Sequence, residues 1–194
     1  LKPGQLKGEI LLNLDTEEDD EIDIGCAGGV DVTASAKFGL EEAKGEIFKI
    51  EIKGLQGGHS GMDIHKGLGN SNKLLGRFLF LGLDHQIQLS LIDGGSLRNA
   101  IPREAKAIIS VKNSEDFVAK FEQLKSEILE EFASLEKDLV INIEKTDSSE
   151  QTVSIENSKK IIFTINAAHN GVFRMSPDVE GLVEASNNVA RMEL

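Results

Sequence analysis

EIFKIEIKGL, residues 46–55, alternates apolar and polar side chains with period two. Ile47, Lys49 and Glu51 fall on one side of the run, and Phe48, Ile50 and Ile52 on the other. Successive side chains of a strand point to opposite faces, so this stretch predicts a half-buried antiparallel strand. Gly54 interrupts its end, and Gly57-Gly58-His59-Ser60-Gly61 follows as a glycine-rich turn. From Ile64 the spacing becomes helical. Ile64, Leu68, Leu75 and Leu79, with Leu74, Phe78 and Leu81 beside them, predict a helix reaching about Leu83.

Downstream, Gln86–Ile92 reads as a strand ending in Asp93-Gly94-Gly95, and Glu104–Val111 as another. Ser114 suits an N-cap, with Glu115 and Asp116 placed to favour the helix dipole. Phe117, Phe121, Leu124, Ile128, Phe132 and Leu135 then step by four or three, the cleanest amphipathic helix of the chain. Leu139–Ile143 follows as a strand. Ser154–Ala168 predicts a third helix closed by Asn170-Gly171, and Val179–Met192 has mixed strand character.

From Glu46 to Ile143 the order is therefore strand, helix, strand, strand, helix, strand. Both helices are one-sided and need a sheet face to bury against. The expected fold is α+β: a ferredoxin-like antiparallel sheet with two helices on one face. Upstream, Glu9–Leu14 reads as a buried strand entering the acidic stretch that follows Asp15. Gly25-Cys26-Ala27-Gly28-Gly29 is a small-residue turn, and Val30–Ala34 alternates like a strand.

The 194 residues carry 21 Lys and Arg against 33 Asp and Glu, a net charge of −12. That field repels phosphate backbones and anionic membranes, and the chain has no Trp or Tyr on which bases could stack. Nucleic acid is thereby disfavoured as a partner. No apolar run is long enough to span a bilayer. The single cysteine, Cys26, excludes an internal disulfide and a cysteine-built zinc site, which fits a reducing, cytoplasmic compartment. Leu1 is neither an initiator Met nor the start of a signal peptide, so the chain is expected to begin in mid-protein or to have had its beginning removed.

Three features carry chemistry. Asp15, at the end of its strand, has the group to bind a divalent cation, although a solvated acidic loop accounts for the same residues. His59 lies between glycines that permit close approach of a ligand. A neutral imidazole there would donate to an oxyanion, or else simply cap the following helix. Gly94-Gly95-Ser96-Leu97-Arg98-Asn99-Ala100-Ile101-Pro102 is a constrained turn from which Arg98 or Asn99 could reach a carboxylate or carbonyl oxygen. A plain hairpin connection is the alternative. His65 suits a surface position or helix start, His85 an inter-helix turn and His169 a helix C-terminus, where positive charge complements the dipole.

In that order, LLNLDTEE, GCAGGVD, GLQGGHSGMDIHKGLGN and GGSLRNAIPRE closely resemble the aminoacyl-histidine (Xaa-His) dipeptidases. GLVEASNNVA near the end extends the likeness along most of the chain. The resemblance implies a two-zinc metallopeptidase in which a lid, the dimerisation domain, is inserted into a zinc-peptidase α/β catalytic domain. Residues 32–176 would be that lid, with 1–31 a catalytic-domain segment and 177–194 the return into it. Asp15 would be a zinc ligand, Asn99 a substrate contact, and His59 the oxyanion-binding histidine that reaches the other subunit's active site. Arg98 and Arg103 are nearby candidates for the substrate carboxylate.

The remaining ligands and the general base have no counterpart in this sequence. The fragment alone is thus expected to be inactive, while the parent hydrolyses dipeptides through metal-activated water as a homodimer. The competing reading is a non-catalytic ferredoxin-like dimerisation or small-molecule-binding module.

Overall fold

A computed structural model describes residues 4, 7–10, 27–146 and 151–194. Contacts divide the chain into two units, Leu1–Ala34 and Ser35–Leu194. In the first unit the described residues are exposed and form neither helix nor strand. This corrects the strand expected at Val30–Ala34, where Val30 is 88% exposed. Alternation marks a face, but a strand is defined by a regular backbone ladder, and residues 30–34 belong to none of the strands described. The strand expected at Glu9–Leu14 lies mostly outside the described residues; Glu9 and Ile10 are exposed and irregular.

The second unit runs β1 (Leu40–Glu42), β2 (Glu46–Lys53), β3 (Gly58–His59), α1 (Ser71–Leu81), β4 (Gln88–Gly94), β5 (Ala100–Ile101) and β6 (Ala105–Val111). It continues α2 (Ser114–Glu131), β7 (Val140–Lys145), β8 (Gln151–Val153), α3 (Ile155–Ala167), β9 (Gly171–Met175), β10 (Val183–Asn187) and β11 (Met192–Glu193). Five strands form one antiparallel sheet in the order β11-β4-β6-β2-β7. Its β2-α1-β4-β6-α2-β7 core is the ferredoxin-like arrangement that the alternation of hydrophobic periods implies. Three two-stranded ribbons surround it: β1 with β8, β3 with β5, and β9 with β10.

Phe48, Ile50 and Ile52 of β2 are buried, as their period-two spacing requires. They share one core with Leu74, Leu75, Phe78 and Leu79 of α1 and with Phe117, Phe121 and Ile128 of α2. Phe78 lies on Phe121 with ring centroids 4.3 Å apart, and Phe117 meets both Phe48 and Phe121. A third helix, α3, adds Ile162 and Ile165 to this core, so the helical layer has three members rather than two. On the far side of β2, Lys49 and Lys53 pair with Glu51, and Lys49 also with Glu144, a solvated charge ladder.

Three boundaries differ from the sequence reading. The helix expected from Ile64 to Leu83 breaks into a 3₁₀ turn (Ile64–Lys66), α1 and a second 3₁₀ turn (Gly82–His85). Gly67 takes the left-handed conformation, and Asn70 caps α1 by accepting from the Lys73 amide at 3.2 Å. Asn113, not Ser114, is the N-cap residue of α2; the Ser114 hydroxyl instead donates to Glu46 Oε2 at 2.6 Å. At the end of α3, Ala168 is the capping residue, and the carbonyls of Ile165, Asn166 and Ala168 accept from the Lys73 ammonium. A cation suits this end of the helix dipole, and the expected Asn170-Gly171 pair lies beyond the cap. No helix among the described residues is long and apolar enough to cross a membrane.

If this core carries the fold, Phe78→Ala costs about 3–5 kcal/mol of stability by transfer and cavity terms. Phe80→Ala, on a neighbouring position that is 49% exposed, costs at most about 1.5 kcal/mol. Chemical unfolding followed by circular dichroism checks the contrast, and equal losses would contradict it.

Candidate functional site

The loop that carries His59 begins where β2 ends. Gly54 has φ +82°, and a Cβ there would collide with the Asp138 carbonyl, so only glycine lets the chain turn under the α2–β7 connection. Gly58 and His59 then form β3, which pairs with β5: Gly58 with Ile101, His59 with Ala100. The ladder continues through the Ser60 amide, which donates to the Asn99 carbonyl at 2.8 Å. His59, on β3, and Asn99, in the turn that leads into β5, thus meet at one end of this short ribbon. Both are exposed.

The His59 ring is oriented by its own loop. Its Nδ1 accepts the amide hydrogens of Gly61 and Met62, each at 3.2 Å. In the neutral ring a nitrogen that accepts carries no proton, so this pattern assigns the hydrogen to Nε2. The exposed imidazole therefore offers an N–H donor. The backbone is held as well: the His59 amide donates to Asp63 Oδ2 at 2.6 Å, and the Asp63 amide returns to the His59 carbonyl at 2.9 Å. A Cβ on Gly58 would lie 2.7 Å from that Asp63 oxygen, which explains the glycine before the histidine.

Asp63 is itself paired with Lys66 at 2.6 Å. The Lys66 ammonium foremost, and then the His59 amide, hold its carboxyl below the ordinary aspartate value.

The β5 side of the ribbon is anchored from elsewhere. Asn188 Nδ2 donates to the Ala100 carbonyl at 2.8 Å, and the Ser71 amide at the start of α1 donates to the Pro102 carbonyl at 3.1 Å. Asn70 extends this support by donating to Asn170 Oδ1 at 2.8 Å and Asn188 Oδ1 at 3.1 Å. Gly95, at φ +71°, passes so close to the Ala190 carbonyl that no side chain fits. An open cleft of about 480 Å³ lies along this turn, lined by residues 93–97 and 100–106 with Glu51, Ile52 and Lys53. Arg103 borders the cleft and crosses the face of Gly57, while Arg98 is exposed at the turn beside Asn99.

Asp15 lies outside the described residues. Among the described residues no three His, Cys, Asp or Glu side chains converge as a metal would require. His65 is exposed in the 3₁₀ turn, and His169 stacks edge-on against Phe173 at 5.4 Å. His85 is 3% exposed, lies edge-on to Phe117, and has its Nε2 3.6 Å from Asp116 Oδ2, beyond hydrogen-bond reach.

Two contributors to the site escaped the sequence reading. Asp63 had a local signal, an acidic residue four positions after the histidine and able to return to the backbone. Asn188 had none, because its partner is far away in the chain.

The Asp63 clamp has a defined pH dependence. Its carboxyl is depressed in the folded protein, so the contribution is complete above the unfolded value and is lost as pH falls through the folded one. The side-chain carboxyl carbon resonance of Asp63 should titrate with a midpoint below the ordinary aspartate value, and Lys66→Ala should raise that midpoint. A midpoint at or above the ordinary value would contradict the clamp.

Residues 50–139 match the peptidase dimerisation domain family. The chain is 43% identical, over 97% of its length, to the cytosol non-specific dipeptidase of Escherichia coli (strain K12). It is similar over 98% of its length to the crystal structure of aminoacylhistidine dipeptidase from Vibrio alginolyticus, with 39% identity and a TM-score of 0.77. In each case the chain spans 40% of the relative. Sequence and fold comparisons agree on the α+β sandwich that carries His59 and Asn99, which over residues 50–139 is similar to a peptidase dimerisation domain.

Proposed function

We propose that the chain is the lid of a dipeptidase, with His59 as the donor that stabilises the oxyanion of a scissile peptide bond. The observation that carries this reading is the arrangement of the His59 ring. Two amides occupy Nδ1, which leaves Nε2–H as an exposed and pre-aimed donor. A donor fixed before the reaction stabilises developing charge without reorganising, and one such group is worth roughly 10²–10³ in rate. Asn99, one residue along the ribbon from the partner of His59, would contact the substrate, with Arg98 or Arg103 nearby for its carboxylate. The similarity to two dipeptidases supports a dipeptide as the substrate, with Xaa-His peptides the narrower choice.

The lid spans residues 32–176 in this reading, with catalytic-domain pieces at 1–31 and 177–194. By packing, Met192–Glu193 also belongs with the lid, since β11 pairs with β4. The family's dimerisation role supports a homodimer in which His59 serves the opposite subunit's centre. Two divalent ions, zinc by resemblance, would supply the activated water. Of their ligands this chain contributes Asp15, and the rest lie in the remainder of the protein. A cytoplasmic location follows the cytosolic relative.

In the full-length protein, His59→Ala should lower dipeptide turnover by roughly 10²–10³ while metal content stays intact. Unchanged turnover would sink the assigned role. Asp15→Ala should instead lower the bound metal measured by plasma emission spectroscopy, and a full metal complement would remove Asp15 from the ligand set.

A further inference from the structure

The loop bearing His59 leaves β2 and returns to α1, and both of its ends meet one side chain. Glu136, in the connection between α2 and β7, is 3% exposed. Its Oε2 accepts the amide hydrogen of Gln56 at 2.8 Å, and its Oε1 accepts that of Gly69 at 2.7 Å. Each oxygen of one carboxylate thus closes one end of the segment 56–69. These residues lie 80 and 67 positions away from Glu136 in the chain.

The surroundings fit the same purpose. Gly69 packs closely here: a Cβ would lie 2.6 Å from Leu55 Cδ2 and 3.4 Å from Glu136 Oε1. The Gln56 side chain adds a second tie, donating from Nε2 to the Leu135 carbonyl. Glu136 is fixed in turn, since its amide donates to the Phe132 carbonyl at 2.8 Å and its carbonyl accepts from Leu139 at 3.2 Å.

A buried carboxylate is costly unless its oxygens are hydrogen-bonded. No cation pairs with Glu136 among the described residues, so the two loop amides are what satisfy it. Both bonds are charge-assisted and stronger than neutral ones. A side chain chosen only to fill the core at this position would be apolar.

We propose that Glu136 is a positioning residue: by accepting one amide from each end of segment 56–69, its carboxylate holds the base of the loop and thereby the aim of His59. The catalytic part of this proposal rests on His59 acting as the oxyanion donor. The holding part does not. Glu136 acts through the loop and need not touch substrate. Small displacements of a catalytic donor are expensive, and about 1 Å can cost roughly a hundredfold in rate.

The test uses Glu136→Gln in the full-length protein. The amide is nearly isosteric, but its NH₂ faces one of the two loop donors and cannot accept from it. Hydrogen exchange read by mass spectrometry should show peptides covering 55–70 exchanging at least about tenfold faster, with β2 and β6 unchanged as the folding control. Protection of 55–70 equal to wild type overturns the proposal.

Turnover number should fall by roughly tenfold to a hundredfold with KM little altered. In a His59→Ala background the same substitution should produce no further fall, because Glu136 acts only through His59. An undiminished further fall overturns the route through His59. Should Glu136→Gln not fold, Glu136→Asp keeps the charge on a side chain one methylene too short to meet both amides. It should loosen the same peptides, and unchanged protection would again overturn the proposal. If His59→Ala itself leaves turnover intact, the oxyanion reading fails, and with it the catalytic part of this proposal. The exchange result alone then decides whether Glu136 holds the loop.

Discussion

Burial of Phe48, Ile50 and Ile52 beneath α1 and α2 is the constraint from which the remaining geometry follows. β2 is paired on both sides, by β6 and by β7, so its register is fixed along its whole length. A slip of one residue would turn its apolar side chains out of the core and its lysines in. With β2 pinned and α1 packed over it, the end of the strand and the start of the helix occupy fixed places. The chain between them must leave and return at those points, and that chain carries His59.

The β3–β5 ribbon has too few residues to stand alone, since an isolated hairpin is marginal even with longer strands. It is ordered by what it is tied to. Ser71 and Asn188 hold the β5 side, Asp63 closes the turn behind His59, and Glu136 grips both ends of the loop. This division suits a residue that must protrude and yet be aimed. The tip is exposed so that it can reach a ligand, and the entropy of ordering it is offset below, where bonds are shielded from water.

How much of this was legible in the sequence depended on whether the signal was local. Strand β2 and helix α2 could be read because each displays its period over many residues: Phe48, Ile50 and Ile52 in one case, Phe117, Phe121 and Ile128 in the other. The ferredoxin-like order followed from those periods. The third helix was also visible, but not its place in the same layer, which depends on Ile162 and Ile165 meeting the common core. The break at Gly67–Asn70 was hidden, because Ile64 and Leu68 keep helical spacing across a stretch where the backbone does not. Val30–Ala34 shows the reverse error, a period that the described backbone does not turn into a strand.

At the site, the glycines flanking His59 and the turn at Asn99 stood out, as close approaches and sharp turns demand particular residues. Their meeting on one ribbon was not readable, because β3 and β5 are too short to carry a pattern. Glu136 could not be read at all. It sits in a charged surface-like stretch, Leu135 to Asp138, and its partners are distant in the chain.

The central claim is that this fold presents the Nε2–H of His59, already oriented, to a developing oxyanion. The most direct measurement is a crystal structure of the full-length protein with a phosphinic dipeptide analogue, whose phosphinyl oxygens imitate the tetrahedral oxyanion. The account predicts His59 Nε2 at about 2.7–3.1 Å from one of those oxygens, with Nδ1 still accepting from Gly61 and Met62. A closed complex in which the phosphinyl oxygen is bound by other groups, and His59 remains in solvent, would contradict it.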